Sequence, residues 1–380
     1  MQHEGKCVFL YFKPDMKKYI IIMGAALCLI SACRTKALPP RPTIPLVETI
    51  VRDTSGLAEL VAKAGASGAN GSIAILGEKE QTMALARLFL SIDARDNIDG
   101  RSVRDSLPDF AGEQFQVIID ENNSPYSHFL PGGLDSLREA AVQGAMFAWD
   151  TTCLKTRTSA RNRLPKENAK ILVFSSPLNS AYGLFDVDTL RQLCSGKCML
   201  ATPVETTLKD AVKAGASNIA VWASRDIRSS RAYEDAFADL QAEGTVTTIT
   251  PESALDIRTQ FRSLLRQYQA TGLSLDALVL SEYTVDTQPL WSEIELIRSG
   301  VSEEDSAFNR MLSGNFVIID PGTSLTSAIF SYMRGGNLFT HRIALPSARW
   351  FVTTESENGN PDILEVGTSY LRSAYVQDFD

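Results

Sequence analysis

The sequence has 380 residues, and its 37 basic and 45 acidic side chains give a formal net charge of −8. The acidic balance, without any stripe of clustered Lys and Arg, excludes nucleic acid as an expected partner, because phosphate contacts need such clusters. The length is sufficient for two α/β lobes.

The N-terminus has the pattern of a secretory signal. An apolar run at residues 20–30 follows Lys17 and Lys18, and it is too short to span a bilayer, which needs about 20 residues. The segment before this run contains acidic residues and fits a signal poorly, so Met16 is the predicted true start. Residues 1–32 are the predicted signal peptide.

The end of this segment, Ile30-Ser31-Ala32-Cys33, resembles the bacterial lipobox, whose Cys receives lipid and becomes the mature N-terminus. The resemblance implies a lipoprotein of the cell envelope, anchored to a membrane by palmitate-type lipid on Cys33 and facing the periplasm or the cell surface. The alternative is a hydrophobic N-terminal helix that ends in a Cys by chance. Removing the signal takes the formal net charge from −8 to −10, because four lysines and two acids are lost.

The stretch ALPPRPTIP follows the lipobox, and its four prolines favour an extended, semi-rigid conformation over packing. Residues 33–66 are therefore predicted to form a lipidated N-terminus and tether.

Three cysteines remain in the mature body besides Cys33. Cys194 and Cys198, in LCSGKC, leave three alternatives open: a local disulfide in an oxidising envelope, two free thiols, or a metal site. The metal alternative lacks the second half of a zinc site, so no metal is predicted. Cys153 is predicted to be a small buried hydrophobic residue rather than a nucleophile.

Short apolar runs alternate with amphipathic helical patterns along the rest of the chain. The predicted strands are residues 72–76, 115–119, 170–174, 198–202, 218–223, 246–250, 277–280 and 316–320. This alternation predicts an α/β protein with doubly wound parallel sheets, and the length predicts two such lobes. The first lobe is predicted to comprise residues 67–197 plus 285–380, and the second residues 198–284.

Ligands bind beyond the carboxyl ends of the strands in such sheets, so the loops that follow the strands are the predicted functional segments. In DALVLSEYT an apolar strand runs directly into Glu282, which places a carboxylate at such an end. Asp320, which follows another strand, is predicted to cap the next helix.

Four strand-end segments resemble motifs of the aspartate/glutamate racemase superfamily, in that family's order. Asp120 with Pro125 and Tyr126 is similar to the family's D-x-x-x-x-P-Y-G loop, and Ala223-Ser224 with Ser230, Ala232 and Tyr233 is similar to its A-T…S-x-A-Y segment. Residues 318–322 are similar to its L-I-D-S-G turn, and residues 349–354 are similar to its R-F-Y-T-T strand. The resemblance covers residues 71–356 and implies two lobes of the racemase type. The alternative with the same alternation is a type I periplasmic solute-binding fold.

The family moves a proton at the α-carbon of an acidic amino acid with two cysteines, one on each face. At the first position this sequence has Ser175, or Leu178 if a three-residue insertion is allowed, and at the second it has Glu282. A hydroxyl ionises far less readily than a thiol and Leu carries no proton, so the two-cysteine mechanism is unavailable. The candidate catalytic residues are Glu282, as a general base, and Ser175.

The resemblance also implies a set of ligand-binding residues, in which Gly77-Glu78-Lys79 replaces the family's D-S-G. The candidates are Glu78, Pro125, Tyr126, Asn179, Ser180, Tyr283 and Thr284. Plainer interpretations stay open, with Glu78 and Glu282 as solvated strand-end acids and Tyr126 as a packing residue. The added carboxylate repels free glutamate and aspartate, so a neutral or amine-bearing ligand fits more easily.

Three functional hypotheses follow. The leading one is an envelope lipoprotein with a glutamate racemase-like fold, which binds an amino-acid-like or peptidoglycan-derived ligand between its lobes without two-cysteine racemisation. The second is an active isomerase, lyase or hydrolase of the same superfamily that uses Glu282 as its base. The third is a ligand-free adaptor that recognises another envelope protein. No cofactor is expected in any of them.

Overall fold

The computed structural model describes residues 41–54, 56–154, 163–252, 256–340, 342–354 and 362–366. The predicted signal peptide, Cys33 and the first four residues of the proline-rich stretch lie outside the described residues. From Thr43 onward the described residues form one compact unit.

Twelve strands and thirteen α-helices are described. The strands are β1 (Ser72–Gly77), β2 (Gln114–Ile119), β3 (Thr152–Leu154), β4 (Arg163–Pro165), β5 (Ala169–Phe174), β6 (Met199–Ala201), β7 (Asn218–Trp222), β8 (Thr245–Ile249), β9 (Leu275–Leu280), β10 (Leu312–Ile319), β11 (Ser347–Thr354) and β12 (Asp362–Val366). The helices are α1 (Pro45–Arg52), α2 (Leu57–Ala62), α3 (Lys79–Ser91), α4 (Leu134–Trp149), α5 (Pro177–Tyr182), α6 (Leu184–Leu193), α7 (Pro203–Lys213), α8 (Arg225–Ser230), α9 (Ala232–Asp239), α10 (Ile257–Gln269), α11 (Gln288–Ser299), α12 (Glu303–Met311) and α13 (Pro321–Gly335).

The strands form two sheets. The eight-stranded sheet has the order β4-β3-β12-β11-β2-β1-β5-β6, and the four-stranded sheet has the order β10-β9-β7-β8. All pairs are parallel except β11 with β12 and β3 with β4. The predicted class, an α/β protein with two parallel-sheet lobes, is confirmed.

Each sheet is covered on both faces, which explains the unbroken apolar runs in the sequence. In β1, Ala74 and Leu76 belong to one core and Ile73 and Ile75 to another. In β9, Leu278 and Leu280 pack on one side and Ala277 and Val279 on the other. Side chains alternate between the faces of a strand, so burying both faces requires an apolar residue at every position.

The two sheets divide the chain at points that differ from the predicted lobe boundaries. β6, at the start of the predicted second lobe, pairs with β5 of the eight-stranded sheet, while β10, placed in the first lobe, pairs with β9 of the four-stranded sheet. Apolar runs show that a strand exists but carry no information about which sheet it joins. The second lobe of the structure therefore extends through β10.

Part of the segment predicted as a tether, residues 33–66, is packed into the folded body. Ile44, Val47, Ile50 and Val61 are buried in a core of the first lobe. The Ile44 amide donates a 3.1 Å hydrogen bond to Asp186, which Arg138 also holds at 2.7 Å. The apolar residues of α1 recur on one helical face, so this segment packs instead of remaining extended.

Asp320 caps α13 as predicted, because its side chain accepts a 2.7 Å hydrogen bond from the Thr323 amide. None of the helices in the described part of the chain has the length and apolar character that crossing a bilayer requires.

Candidate ligand-binding site

An open pocket of about 1070 Å³ lies beyond the carboxyl ends of β7, β8 and β9, and we call it the second-sheet pocket. Its lining residues come from the end of β7, from the segments that follow the three strands, which include the start of α8, and from the start of α10. Trp222 pairs in register with Ile249 and with Leu280, so Ser224 and Glu282 leave neighbouring strands at the same level. Neighbouring strands lie about 4.8 Å apart, which brings the two loops together at this edge.

The second-sheet pocket is rich in charged side chains. Glu282, Asp226, Glu252 and Asp286 supply carboxylates, and Arg225 and Arg228 supply guanidinium groups. Within the described part of the chain, none of these six side chains takes part in an ion pair. Asp286 accepts a hydrogen bond from the Gln288 amide at 2.9 Å. The other five side chains have no hydrogen-bond partner among the described residues.

Glu282 is the partly buried carboxylate of this pocket. Burial raises its pKa above the ordinary value, and the nearby negative charge of Glu80 raises it further. A desolvated carboxylate without a donor is unfavourable in its charged form. A ligand that donates to Glu282 would remove that penalty.

The residues that follow Glu282 go to different places. The Tyr283 hydroxyl donates a 2.9 Å hydrogen bond to the Ser175 carbonyl of the first lobe, and its ring packs against a core of that lobe. Tyr283 is therefore an interlobe contact. Thr284 is exposed and lines the second-sheet pocket.

Ser175, the other candidate catalytic residue, is fully buried. Its hydroxyl lies 2.7 Å from the Thr82 hydroxyl and 3.2 Å from the Leu76 carbonyl oxygen, which accepts from it. A β-carbon at Gly77 would lie 2.2 Å from the Ser175 hydroxyl, so this side chain fills its space tightly. Leu178, the residue in the other register, is buried in a core. Neither residue lines the second-sheet pocket.

Three other candidates form a hydrogen-bonded group with Asp120 at the carboxyl edge of the eight-stranded sheet. We call this group, which consists of Glu78, Asp120, Tyr126 and Asn179, the first-sheet cluster. The Tyr126 hydroxyl donates to Asp120 at 3.0 Å and accepts from the Asn179 amide at 3.0 Å. Glu78 accepts from the Tyr126 backbone amide at 2.9 Å and from the Ser176 hydroxyl at 3.2 Å.

Burial is the main electrostatic effect in the first-sheet cluster. It raises the pKa of Asp120 despite hydrogen bonds from Thr353, Asn123 and Tyr126. It also raises the pKa of Glu78. Tyr126 is completely buried, so it is a packing residue in this structure and does not form an open wall. The Asn179 side-chain oxygen is buried and has no hydrogen-bond partner in the described part of the chain.

Besides Tyr283, two predicted ligand-binding residues lie outside both sites. Pro125 is exposed in the loop before Tyr126. The Ser180 hydroxyl donates to the Ser176 carbonyl at 3.2 Å, and Ser180 lines a separate cavity of about 280 Å³ with residues of α7 and α9.

Arg225, Arg228 and Glu80 were not among the residues expected from the sequence. The strand-end argument that pointed to Glu282 applies equally to Arg225, which comes three residues after Trp222, the last residue of β7. The arginines lacked a motif to mark them. Glu80 is exposed at the start of α3, where only three-dimensional proximity reveals its influence on Glu282.

Cys153, Cys194 and Cys198 are free thiols in the structure. Burial raises the pKa of Cys198 to about 12 and also raises the pKa of Cys153, which disfavours thiolate chemistry at both. Among the described residues, no group of three or more His, Cys, Asp or Glu side chains is arranged to hold a metal ion.

No protein-family model matches the sequence, and no curated protein matches it. The solved structures to which the chain is similar include glutamate racemase isoform RacE1 from Bacillus anthracis. The two sequences are 15% identical, the match covers 75% of this chain and 90% of that chain, and the TM-score is 0.47. Glutamate racemase from Francisella tularensis, in complex with D-glutamate, has 13% identity over 77% and 91% of the chains and a TM-score of 0.46. Glutamate racemase from Aquifex pyrophilus has 16% identity over 81% and 96%, with a TM-score of 0.43.

Proposed function

We propose that this chain is a lipid-anchored envelope protein that binds a small amino-acid-like ligand in the second-sheet pocket and does not racemise it by a two-base mechanism. The observation that carries the binding proposal is the partly buried Glu282 carboxylate, which faces an open pocket without a donor from the described residues. Sites that recognise small polar ligands combine a concave wall with a few such convergent groups.

The absence of two-base racemisation rests on Ser175. Racemisation needs a proton acceptor on one face of the α-carbon and a proton donor on the other. Ser175 is buried and its hydroxyl is engaged by Thr82 and Leu76, while Leu178 offers no ionisable group. Glu282 therefore has no opposing acid or base from either register of the first motif.

Calorimetric titration of the full chain in mild detergent, with a panel of free amino acids, tests the binding proposal. We expect Glu282→Gln to weaken binding of the amino acid that binds best, and Ser175→Ala to leave it unchanged. Glu243→Gln is a matched control, since Glu243 is an exposed acid of the same lobe outside the pocket. Binding that survives Glu282→Gln and is lost in Ser175→Ala would contradict the proposed site.

A second candidate function is proton abstraction by Glu282 alone, as in an isomerase, lyase or hydrolase. The raised pKa of Glu282 favours it, because a general base works best when its pKa approaches the working pH. Incubation with amino acids in D2O, followed by proton NMR, would show loss of the α-proton signal in the wild type above the Glu282→Gln background. Equal signal in both proteins would rule out this function for the amino acids tested.

The lipid anchor has its own test, which is independent of the pocket. We expect metabolic labelling with palmitate to be lost in Cys33→Ser and kept in Cys28→Ser, since Cys28 lies inside the apolar run of the signal. Labelling that persists in Cys33→Ser would contradict lipidation at this position.

A further inference from the structure

The second-sheet pocket has an excess of negative charge. Its four carboxylates outnumber its two guanidinium groups, which leaves a formal charge of −2 when all six are ionised. A ligand that matches this wall must carry more cationic than anionic groups. An acidic amino acid does not meet this condition, because it carries two carboxylates and only one ammonium group.

The charges of the pocket differ from other charges of the same lobe in being unpaired. Arg262, on α10, forms ion pairs with Glu293 at 2.6 Å, Glu304 at 3.0 Å and Asp305 at 2.8 Å. In contrast, Arg225 and Arg228 form no ion pair with any described residue, although four carboxylates line the same pocket. The folded chain thus leaves both signs of charge available at one site.

A buried hydroxyl beside Glu282 provides an independent observation. Tyr233 is completely buried, and its hydroxyl has no hydrogen-bond partner within the described residues. It lies close enough to Glu282 for that carboxylate to add to the effect of burial in raising the pKa of Tyr233. Two neighbouring polar groups, the Glu282 carboxylate and the Tyr233 hydroxyl, are therefore left without partners among the described residues near the carboxyl end of β9. For the buried hydroxyl this situation is rare.

Trp222 completes the recognition surface. It lines the pocket with only 7% of its surface exposed, so it forms a small part of the pocket wall beside the charged groups. Such a wall accommodates an aliphatic chain, and an aromatic face also attracts an ammonium group.

We infer that the second-sheet pocket binds a diamino monocarboxylic acid, with its carboxylate on Arg225 and Arg228, one ammonium group on Glu282, and its alkyl chain along Trp222. The inference rests on the proposed function and specifies its ligand class. The second ammonium group is matched by the remaining carboxylates of the pocket, Asp226, Glu252 and Asp286. A guanidinium pair is suited to a carboxylate because its donors match both oxygens.

Four probes that differ by one group each test the inference by calorimetry on the full chain in mild detergent. Lysine carries both ammonium groups and the carboxylate, norleucine lacks the side-chain ammonium, 6-aminohexanoate lacks the α-ammonium, and cadaverine lacks the carboxylate. Both enantiomers of lysine are titrated, and glutamate is the oppositely charged comparison. We expect one enantiomer of lysine to bind at least about tenfold more tightly than any other probe, since each lost charged contact is worth roughly that factor or more.

Variants assign the groups to their partners. Glu282→Gln is expected to reduce lysine affinity about tenfold and to reduce cadaverine affinity similarly. Arg228→Gln is expected to weaken lysine and 6-aminohexanoate while leaving cadaverine unchanged or improved. Glu243→Gln and Arg310→Gln are the matched controls, because both residues are exposed on the same lobe and outside the pocket. Thermal unfolding of each variant verifies that it is folded.

The outcomes separate this inference from the proposed function. One outcome is that norleucine or glutamate binds as tightly as lysine, in a way that Glu282→Gln or Arg228→Gln weakens. The inferred ligand class would then be wrong, while the proposed function, ligand binding in the second-sheet pocket, would stand. If lysine binds but Glu282→Gln and Arg228→Gln have no effect, the site is elsewhere and both proposals fail. If no amino acid of any charge binds, the proposed function fails with the inference.

Discussion

The first-sheet cluster and the second-sheet pocket occupy equivalent places, at the carboxyl edges of two parallel sheets, yet their polar groups are used differently. Asp120, Tyr126 and Glu78 are bonded to one another or to neighbouring backbone and hydroxyl groups. Glu282, Arg225 and Arg228 have no such partners among the described residues. The polar groups of the first-sheet cluster therefore bond within the chain, whereas those of the second-sheet pocket are available to a ligand.

This contrast suggests that an acid at a strand end is a poor indicator of function until its partners are known. Glu78 and Glu282 both follow apolar strands, and burial raises the pKa of both. Glu78, however, accepts two hydrogen bonds from the chain, so both of its oxygens already have donors and are less available to a ligand. Position alone does not distinguish the two acids, and hydrogen bonding does.

The largest effect should come from removing the acceptor at the centre of the first-sheet cluster. Asp120→Ala leaves the hydroxyls of Thr353 and Tyr126 and the Asn123 amide without their acceptor, so we expect the free energy of unfolding to fall by about 3 kcal/mol. Denaturant titration measures the change. Asp226→Ala, in the second-sheet pocket, is the control and should alter stability by no more than about 0.5 kcal/mol, because Asp226 bonds to no described side chain. An equal decrease in the free energy of unfolding of the two variants would contradict the proposed difference between the two sites.

A smaller effect is expected from crowding Ser175. In Gly77→Ala the new methyl group would lie 2.2 Å from the Ser175 hydroxyl, and we expect a loss of about 2 kcal/mol in the free energy of unfolding. Adding Ser175→Ala should recover part of this loss by removing the crowded oxygen. The recovery is incomplete because Gly77 also has a φ of +156°, which residues with side chains rarely adopt.

The Gly77 variants also sharpen the functional comparison. Amino-acid binding in the second-sheet pocket should be the same in the Gly77→Ala, Ser175→Ala double variant as in the wild type, because Ser175 does not line that pocket. A folded double variant that no longer binds the ligand would place Ser175 in the binding site and contradict the separation of the two regions.

The fold was largely predictable because its strands are buried on both faces. Runs such as IAIL in β1 and ALVL in β9 are apolar at every position, which marks a buried parallel strand without any need for tertiary information. The short strands β3 and β4 and the antiparallel β12 carry no such pattern. Their formation depends on pairing with distant segments, as β12 pairs with β11, and this pairing is not visible in local sequence.

The site was predictable only in part. The strand-end rule located Glu282, and the resemblance to family motifs located Glu78, Tyr126 and Asn179. Neither argument could show that Tyr126 and Asn179 are buried and bonded to each other, since that depends on how α5 packs against the loop after β2. The position of Arg225 and Arg228 in the lining of the pocket depends in the same way on where β8 and β9 end relative to β7.

The smallest effect is a pH-dependent one at Glu282, and its sign follows from burial. Burial raises the pKa of Glu282 in the folded chain above its unfolded value of about 4.3. The contribution of the protonated Glu282 side chain to the free energy of unfolding is fully present below about pH 4.3. It is lost as the pH rises through the higher pKa of the folded chain. Gln does not ionise, so Glu282→Gln should match the wild type near pH 4 and be more stable at pH 8.

Urea unfolding at pH 4 and pH 8 measures this difference, with Glu243→Gln as an exposed control that should follow the wild type at both values. A Glu282→Gln variant that is less stable than the wild type at pH 8 would mean that the carboxylate has a stabilising partner in the folded chain. The opposite result, added stability together with weaker ligand binding, would identify Glu282 as a charge held at a cost to the fold until a cationic ligand neutralises it.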